Sequence, residues 1–515
     1  MKTKSILTAE QMRWADQYTV QELLTSGLIL MENAGRCVAE HVRQCLPNEG
    51  NVLVVAGTGN NGGDGFTAAR WLTQWGIQTQ IILMGSLSSL QGDAKSHALS
   101  AEASGVHIIE IDEHSSINSV HDLHQYLSHA NLIVDAIFGT GLTRKVVGRM
   151  NKIIALMNYI DAPILSIDLP SGVSSDSGKV MGNAVEATWT LPIAGYKWGH
   201  FLSLGKEHCG EIFSPALIGI SQHVLKKSQT EKPSACQTSS FLEWNDTYKP
   251  CFERNVEDHK NKSGHVWVFG GCCGYTGAPK LAGLGAFAAG TGMVSIACAK
   301  EIYIPLACSN MEMMIHEQES APWQDADAIV AGPGWGKEQI QMLSKIIQTD
   351  IPLVLDADAL NILAENFLLQ KVLMQREGIT VLTPHPGEAA GLLQSTSNEI
   401  QQDRLESVLE LAQYFSCWVV LKGAGTLVAS PDNDIWYCPY GSPALATAGS
   451  GDVLAGMIAS LMARKLPTEK AICISVMLHA LSGEVMAKQG SVGWLAGDIP
   501  EIIRQLTTYE TAKKS

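Results

Sequence analysis

Asn51-Val52-Leu53-Val54-Val55-Ala56-Gly57-Thr58-Gly59-Asn60-Asn61-Gly62-Gly63-Asp64-Gly65 is an apolar run that stops at a glycine and passes into a string of Asn, Gly and Asp. A short Val-rich run bounded by turn residues reads as a strand buried on both faces, here over 51–57. Residues 60–65 read as a tight turn and 66–75 as a helix. Strand, glycine turn and helix in that order make the first unit of a parallel sheet. Working outward, 79–84, 131–138 and 164–168 are further buried runs separated by helical stretches, so the sheet is expected to be covered on both faces. Upstream, Thr8 and Gln11 form a capping box that predicts a helix.

Residues 221–263 are polar and lack strong periodicity, and the domain boundary falls inside them, giving domains at 1–224 and 236–515. Beyond it the alternation restarts, with buried strands expected at 265–269, 328–330, 353–356, 380–382 and 418–421. The fold class is therefore α/β, with two three-layer αβα domains, the first Rossmann-like. The uncharged segment 281–299 has the length of a membrane span. Its Gly283, Gly285, Gly290 and Gly292, with little Leu, Ile or Val, make it read instead as a small-residue helix, a glycine turn and a strand from Met293 to Ala299.

The bulk numbers fit this. Of 515 residues, 46% are hydrophobic and 17% charged, as in a globular protein of two or three domains. A net charge of −15, from 36 basic and 51 acidic side chains, argues against nucleic-acid partners. Twelve scattered cysteines without a CxxC pair point to a reduced, cytoplasmic protein, and the first eight residues lack the apolar core of a signal peptide. No membrane partner is expected, and a homo-oligomer is.

Gly57, Gly59 and Gly62 match GxGxxG, yet the second strand ends Ile82-Leu83-Met84-Gly85 without the acid a dinucleotide site needs. A standard NAD-dependent dehydrogenase is thereby disfavoured. The fuller string supplies more than a turn requires: glycine amides suit phosphate, and asparagine oxygens suit a hard cation or a ribose. Asp135 ends one buried strand, just before Gly139-Thr140-Gly141-Leu142-Thr143-Arg144-Lys145, and Asp168 ends the next, before Ser171 and Gly172. A single such Asp more often caps a helix; the set points to chemistry.

This set resembles the NAD(P)H-hydrate epimerase family over roughly 7–217. The resemblance implies interconversion of the two C6 epimers of hydrated NADH or NADPH. By it, Asn60, Asn61, Gly62, Gly63, Asp64 and the run Gly139, Thr140, Gly141, Leu142, Thr143, Arg144, Lys145 line the substrate site. Asp168 contacts the hydrate and does the acid–base work, and Asn61, Asp135 and Ser171 hold a potassium ion. Oxygen donors suit that cation.

In the second half, Ala448-Gly449-Ser450-Gly451-Asp452 opens an apolar helix, so free amides point at one place and favour phosphate. Asp452 stands where it can take a proton from a hydroxyl attacking that phosphate; its bland role is a first-turn acid. Gly332–Gly336, Asp356–Asn361, Thr383–Glu388 and Lys422–Thr426 each follow a strand. There is no Walker A loop. His385 alone reads as a packed histidine.

These pieces resemble the ribokinase-like superfamily and, within it, the ADP-dependent NAD(P)H-hydrate dehydratases, from about 259 onward. The resemblance implies that Ala278, Gly334, His385 and Asp452 contact the hydrate and that Lys422, Gly423, Ala424, Gly425, Thr426 and Gly451 contact the adenosine phosphate. Asp452 is the implied catalytic residue, ADP the co-substrate and AMP and phosphate the by-products, with Mg2+ expected from phosphoryl-transfer chemistry. A ribokinase-like small-molecule kinase shares Asp452 and its glycines but leaves the first half unexplained. A scaffold role for the first half would predict missing ligands.

Overall fold

The computed structural model describes residues 3–46, 50–112, 120–202, 204–232, 234, 236–253, 263–309 and 311–508; parts of 221–263 and the start of the second resemblance therefore lie outside the described residues. Two compact units divide the chain, Lys4–Ser234 and Ala235–Ser515 with Met1–Thr3.

In the first unit the strands are β1 (Thr3–Leu7), β2 (Val52–Ala56), β3 (Thr79–Leu83), β4 (His107–Glu110), β5 (Leu132–Ala136), β6 (Ile164–Ile167), β7 (Trp189–Leu191), β8 (Tyr196–Lys197) and β9 (Glu211–Ile212). Seven pair in the order β4-β3-β2-β5-β6-β7-β9, all parallel, and β8 pairs with β1. Alternate residues of β2 enter opposite cores. Val52, Val54 and Ala56 pack with helix Gly27–Cys45, while Leu53 and Val55 pack with helix Gly148–Tyr159, which makes the unit three-layered. The capping box forms: Thr8 Oγ1 accepts from Gln11 N at 3.2 Å and Thr8 N donates to Gln11 Oε1 at 2.9 Å.

The string 60–65 departs from the reading as a tight turn. It forms the first turns of a helix spanning Asn60–Gln74. Its glycines serve packing: a Cβ on Gly62 would lie 2.0 Å from the Gly57 carbonyl oxygen, on Gly63 2.4 Å from Met31 Sδ, and on Gly65 2.6 Å from Ala136 Cβ. Helix Gln222–Glu231, capped by Ser221, was also hidden in the polar segment and packs on helix Ala9–Gln21.

The second unit holds β10 (Ser239–Leu242), β11 (His265–Phe269), β12 (Met293–Cys298), β13 (Met314–Glu317), β14 (Ala328–Ala331), β15 (Leu353–Leu355), β16 (Thr380–Leu382), β17 (Trp418–Leu421), β18 (Thr426–Ala429) and β19 (Ile435–Cys438). Strands β13-β12-β11-β14-β15-β16-β17 are parallel. An antiparallel hairpin, β17-β18-β19, follows, and β10 runs parallel to β19. The segment 281–299 splits into helix Gly277–Ala288 and β12, as a small-residue helix and strand should. Helix Thr468–Ala487 has the length and apolarity of a span, but 72% of its most apolar 18-residue stretch is buried, as in a core helix.

Candidate active sites

In the first unit the strand order reverses between β2 and β5, and ligands of such sheets bind at that crevice. A cavity of about 440 Å³ opens there, lined by Gly57–Asn61 after β2, Ile137–Leu142 after β5, and Asp64, Asp168 and Lys197. Of the residues singled out, Asn60, Asn61, Asp64, Gly139, Thr140, Gly141, Leu142 and Asp168 line it together. Gly62 and Gly63 are buried in helix packing, and Thr143, Arg144 and Lys145 are exposed on the loop beyond.

Asp168 follows β6 with φ +66°, a left-handed conformation that turns its carboxylate back into the cavity. Lys197 Nζ pairs with Asp168 Oδ1 and donates to the Ile193 carbonyl oxygen at 2.6 Å, while Ile193 N and Thr140 N donate to the two carboxylate oxygens at 3.2 and 3.3 Å. His200 Nδ1 accepts from Lys197 N at 2.9 Å, so Nε2–H donates to the Asp168 carbonyl oxygen at 2.6 Å. Burial, reinforced by the Lys197 ammonium, lowers His200 to about 4, which keeps the ring neutral in this role. Asp64 is pushed well above the carboxylate range by burial and by Asp168 and Asp16.

Asp135 and Ser171 sit behind the cavity. Asp135 is fully buried and accepts from Ser171 Oγ at 2.5 Å, Ser171 N and Ser166 Oγ at 2.8 Å and Ile137 N at 3.3 Å. Burial raises its pKa against these donors, and no cationic side chain among the described residues pairs with it. Asn61 Nδ2 is buried without a partner.

In the second unit the reversal lies between β11 and β14. Gly334 (φ +57°) and Ala278 meet there: a Cβ on Gly334 would sit 3.1 Å from Ala278 Cβ. Gly336 N donates to Asp358 Oδ2 at 2.8 Å, tying this loop to the next strand end. Lys422 Nζ pairs with Asp356 Oδ1 at 2.7 Å and with Glu388 Oε2 at 3.8 Å. Burial pulls Lys422 down, but the two carboxylates outweigh it and hold the ammonium above its ordinary value. The same amine would lie 3.1 Å from a Cβ on Gly451, so the loop 422–426 and the start of helix Ser450–Ala463 converge. Gly449 enters that helix at φ +90°. Asp452, in the first turn, is raised to about 8 by burial and by Asp356, against the pull of Lys422. His385 is the N-cap of helix Pro386–Leu393: its Nδ1 accepts from Gly387 N at 2.9 Å and Glu388 N at 3.3 Å, leaving Nε2 beside Glu388 Oε1 at 3.4 Å.

Sequence reading missed Lys197, His200 and Asp16 in the first unit and Arg404 and His479 in the second. Lys197 carried a signal, a lysine between Tyr196 and Trp198 in a run that is otherwise apolar. Arg404 carried none, because the carbonyl oxygens of Leu421 and Gly425 that it binds are brought to it only by the fold.

A family model described as NAD(P)H-hydrate dehydratase matches residues 266–505, and one described as YjeF-related protein N-terminus matches residues 27–199. The bifunctional NAD(P)H-hydrate repair enzyme Nnr of Coxiella burnetii is 34% identical over 486 residues, 93% of this chain and 94% of that one. Its Escherichia coli counterpart is 32% identical over 502 residues, 94% and 90% of the two chains. A solved structure of the ADP/ATP-dependent NAD(P)H-hydrate dehydratase from Bacillus subtilis is 30% identical, covers 51% of this chain and 96% of that one, and has a TM-score of 0.47. The chain belongs to the bifunctional NAD(P)H-hydrate repair enzymes, its first unit the epimerase domain and its second the dehydratase domain.

Proposed function

We propose that the first unit interconverts the R and S forms of hydrated NADH and NADPH, and that the second dehydrates the S form at the expense of ADP, releasing AMP and phosphate. The observation that carries this is the pairing of two centres in one chain. One is a cavity with a buried Asp168–Lys197 pair, and the other is a helix start where Gly451, Asp452 and Lys422 converge. An epimerase keeps a dehydratase selective for one epimer supplied with substrate.

In the first unit Asp168 is oriented from every side, by Lys197, Ile193 N, Thr140 N and His200, as a proton-transfer group needs. Asn60, Asn61, Asp64 and the loop 139–145 bind the hydrate. A potassium ion would suit Asp135, Ser171 and Asn61: the carboxylate is buried without a cationic partner among the described residues, and carboxylate, hydroxyl and amide oxygens are donors that a hard cation takes. When bound, such an ion would supply fixed positive charge to this centre.

In the second unit, Ala278, Gly334 and His385 bind the hydrate, while loop 422–426 and Gly451 bind the nucleotide. Free amides at the start of helix Ser450–Ala463 and the Lys422 amine hold the phosphates. Asp452 takes the proton of the C6 hydroxyl as that oxygen attacks the β-phosphorus of ADP and AMP leaves. The phosphate ester then departs as phosphate while C5 loses a proton, restoring the ring double bond. Mg2+ would supply neutralising charge to the nucleotide, and Asp356 and Glu388, the carboxylates beside Lys422, would be the oxygen donors nearest to hold it. Twelve free thiols support a cytoplasmic enzyme.

The test is recovery of the reduced-nicotinamide absorbance from a mixed-epimer hydrate with ADP and Mg2+, spontaneous epimerisation subtracted. Complete recovery supports both activities. Recovery that stops at one epimer's share removes the epimerase, and no recovery with ADP or ATP overturns the repair reading.

A further inference from the structure

Asp16 is a titratable side chain of the first cavity to which the roles above give no task. It stands on helix Ala9–Gln21, beside Met12 and Arg13 on the cavity wall, and faces a space shared with Asp64, Asp168 and Lys197. It is half-buried and, among the described residues, makes no hydrogen bond or ion pair. Capping does not account for it, because Thr8 and Gln11 cap this helix and Asp16 lies in its middle. Other charges around the helix are engaged elsewhere: Asp176 Oδ1 accepts from Ala9 N, Lys232 meets Glu10, and Lys227 reaches Tyr18. The charged groups facing the cavity with Asp16 are therefore Arg13 on its own helix, Asp64 on Asn60–Gln74, Asp168 after β6 and Lys197 on β8. Burial raises Asp16, Lys197 pulls it back and Asp168 pushes it up again, leaving it at about 7.

Epimerisation at C6 asks for two proton-transfer groups. C6 bears both the hydroxyl and the ring nitrogen, so the nitrogen lone pair can expel the hydroxyl once that oxygen is protonated. Resting on the epimerase reading, we propose that Asp16 is the second acid–base group of this centre, giving its proton to the departing C6 hydroxyl while Asp168 takes one from the incoming water. The C6–O bond breaks, the oxygen leaves as water with the Asp16 proton, and the lone pair becomes a C6=N1 double bond. Water then adds to the other face of the planar C6, its oxygen bonding to carbon and the double-bond electrons returning to nitrogen. Asp168 receives the water's proton and returns it through solvent to Asp16. Nothing is oxidised or reduced, and the reverse reaction uses the same groups.

The test follows R–S exchange in the full chain at saturating hydrate, from about pH 6 to about pH 9, for the wild type, Asp16→Asn and Asp16→Glu. The wild-type rate is expected to fall as pH rises through about 7, where Asp16 loses its proton. Asp16→Asn should lower kcat about 100-fold with KM within about threefold, and abolish that fall. Asp16→Glu should retain the fall and recover at least about a tenth of the rate. An Asn variant with wild-type kcat, a loss confined to KM, or an unchanged pH profile overturns the proposal. Absence of catalysed exchange in the wild-type chain overturns the epimerase reading itself, and this role with it.

Discussion

Lys197 and Asp168 form an ion pair in which the lysine is 1% and the aspartate 9% exposed, and the same amine also holds the Ile193 carbonyl oxygen. Removing one member of such a pair leaves an uncompensated charge in a dry site. Lys197→Met is expected to destabilise the first unit by about 3–5 kcal/mol, read as a lowered melting temperature, and to abolish epimer exchange. The double variant Lys197→Met with Asp168→Leu should recover much of the stability but none of the exchange. Dehydration of pure S hydrate by the second unit serves as the internal control. A single variant that melts like the wild type would mean that Asp168 finds another partner.

Arg404 makes a comparable argument for the nucleotide loop. Its Nη2 donates to the carbonyl oxygens of Leu421 at 3.1 Å and of Lys422 and Gly425 at 3.3 Å. No carboxylate among the described residues pairs with it, and burial lowers it to about 10. The guanidinium thus fixes the loop from beneath and places positive charge under a site proposed for phosphates. Arg404→Met is expected to raise KM for ADP about tenfold or more with a smaller change in kcat, and Arg404→Lys to restore part of the affinity. An effect on kcat alone would remove Arg404 from nucleotide binding.

Arg404 also marks the limit of the sequence. Strand periodicity and glycine positions made the layers and strand ends legible, because they depend on local patterns of two and three or four residues. Asp168, Asp135 and Asp452 were legible because each stands at a strand end or helix start that the pattern itself locates. Arg404 was not, since its carbonyl partners lie 17 to 21 residues away. Of the hairpin β17-β18-β19, β17 was read at 418–421, while β18 and β19 were missed because such short strands alternate too briefly to separate from loop. The string 60–65 misled because its glycines, which suggest a turn, allow close packing against the Gly57 carbonyl, Met31 of helix Gly27–Cys45 and Ala136 of β5.

Asp452, proposed above as the group that takes the hydroxyl proton, also bears on stability. Its carboxyl is held at about 8 in the fold, against an ordinary value near 3.8. The folded chain therefore binds more protons than the unfolded one between these values, so its contribution to stability is complete below about pH 4 and is lost as pH rises through about 8. Asp452→Asn removes the ionisation. The variant is expected to be inactive as a dehydratase yet more stable above pH 8, by about 1–2 kcal/mol after screening at this half-buried site. Melting temperatures across pH check this; parallel pH profiles for variant and wild type would show that Asp452 does not titrate in that window.

Helix Ser450–Ala463, which carries Asp452, lies against helix Gly277–Ala288 at backbone contact. A Cβ on Gly456 would fall 1.8 Å from the Ala282 carbonyl oxygen, and one on Gly285 2.2 Å from the Val453 carbonyl oxygen. Alanine is favoured over glycine within a helix by about 1 kcal/mol, so propensity alone predicts that Gly456→Ala stabilises. The clash is with backbone that cannot rotate away, and forcing the helices apart costs about 1–3 kcal/mol or more. Steric cost wins, and Gly456→Ala should lower the melting temperature of the second unit. It should also displace the first turn of the helix, so dehydration falls while epimer exchange persists. A melting temperature raised by the alanine would mean that the two helices separate freely, and that Asp452 is positioned by His479, whose Nε2 donates to the Ser450 carbonyl oxygen at 2.8 Å, rather than by this contact.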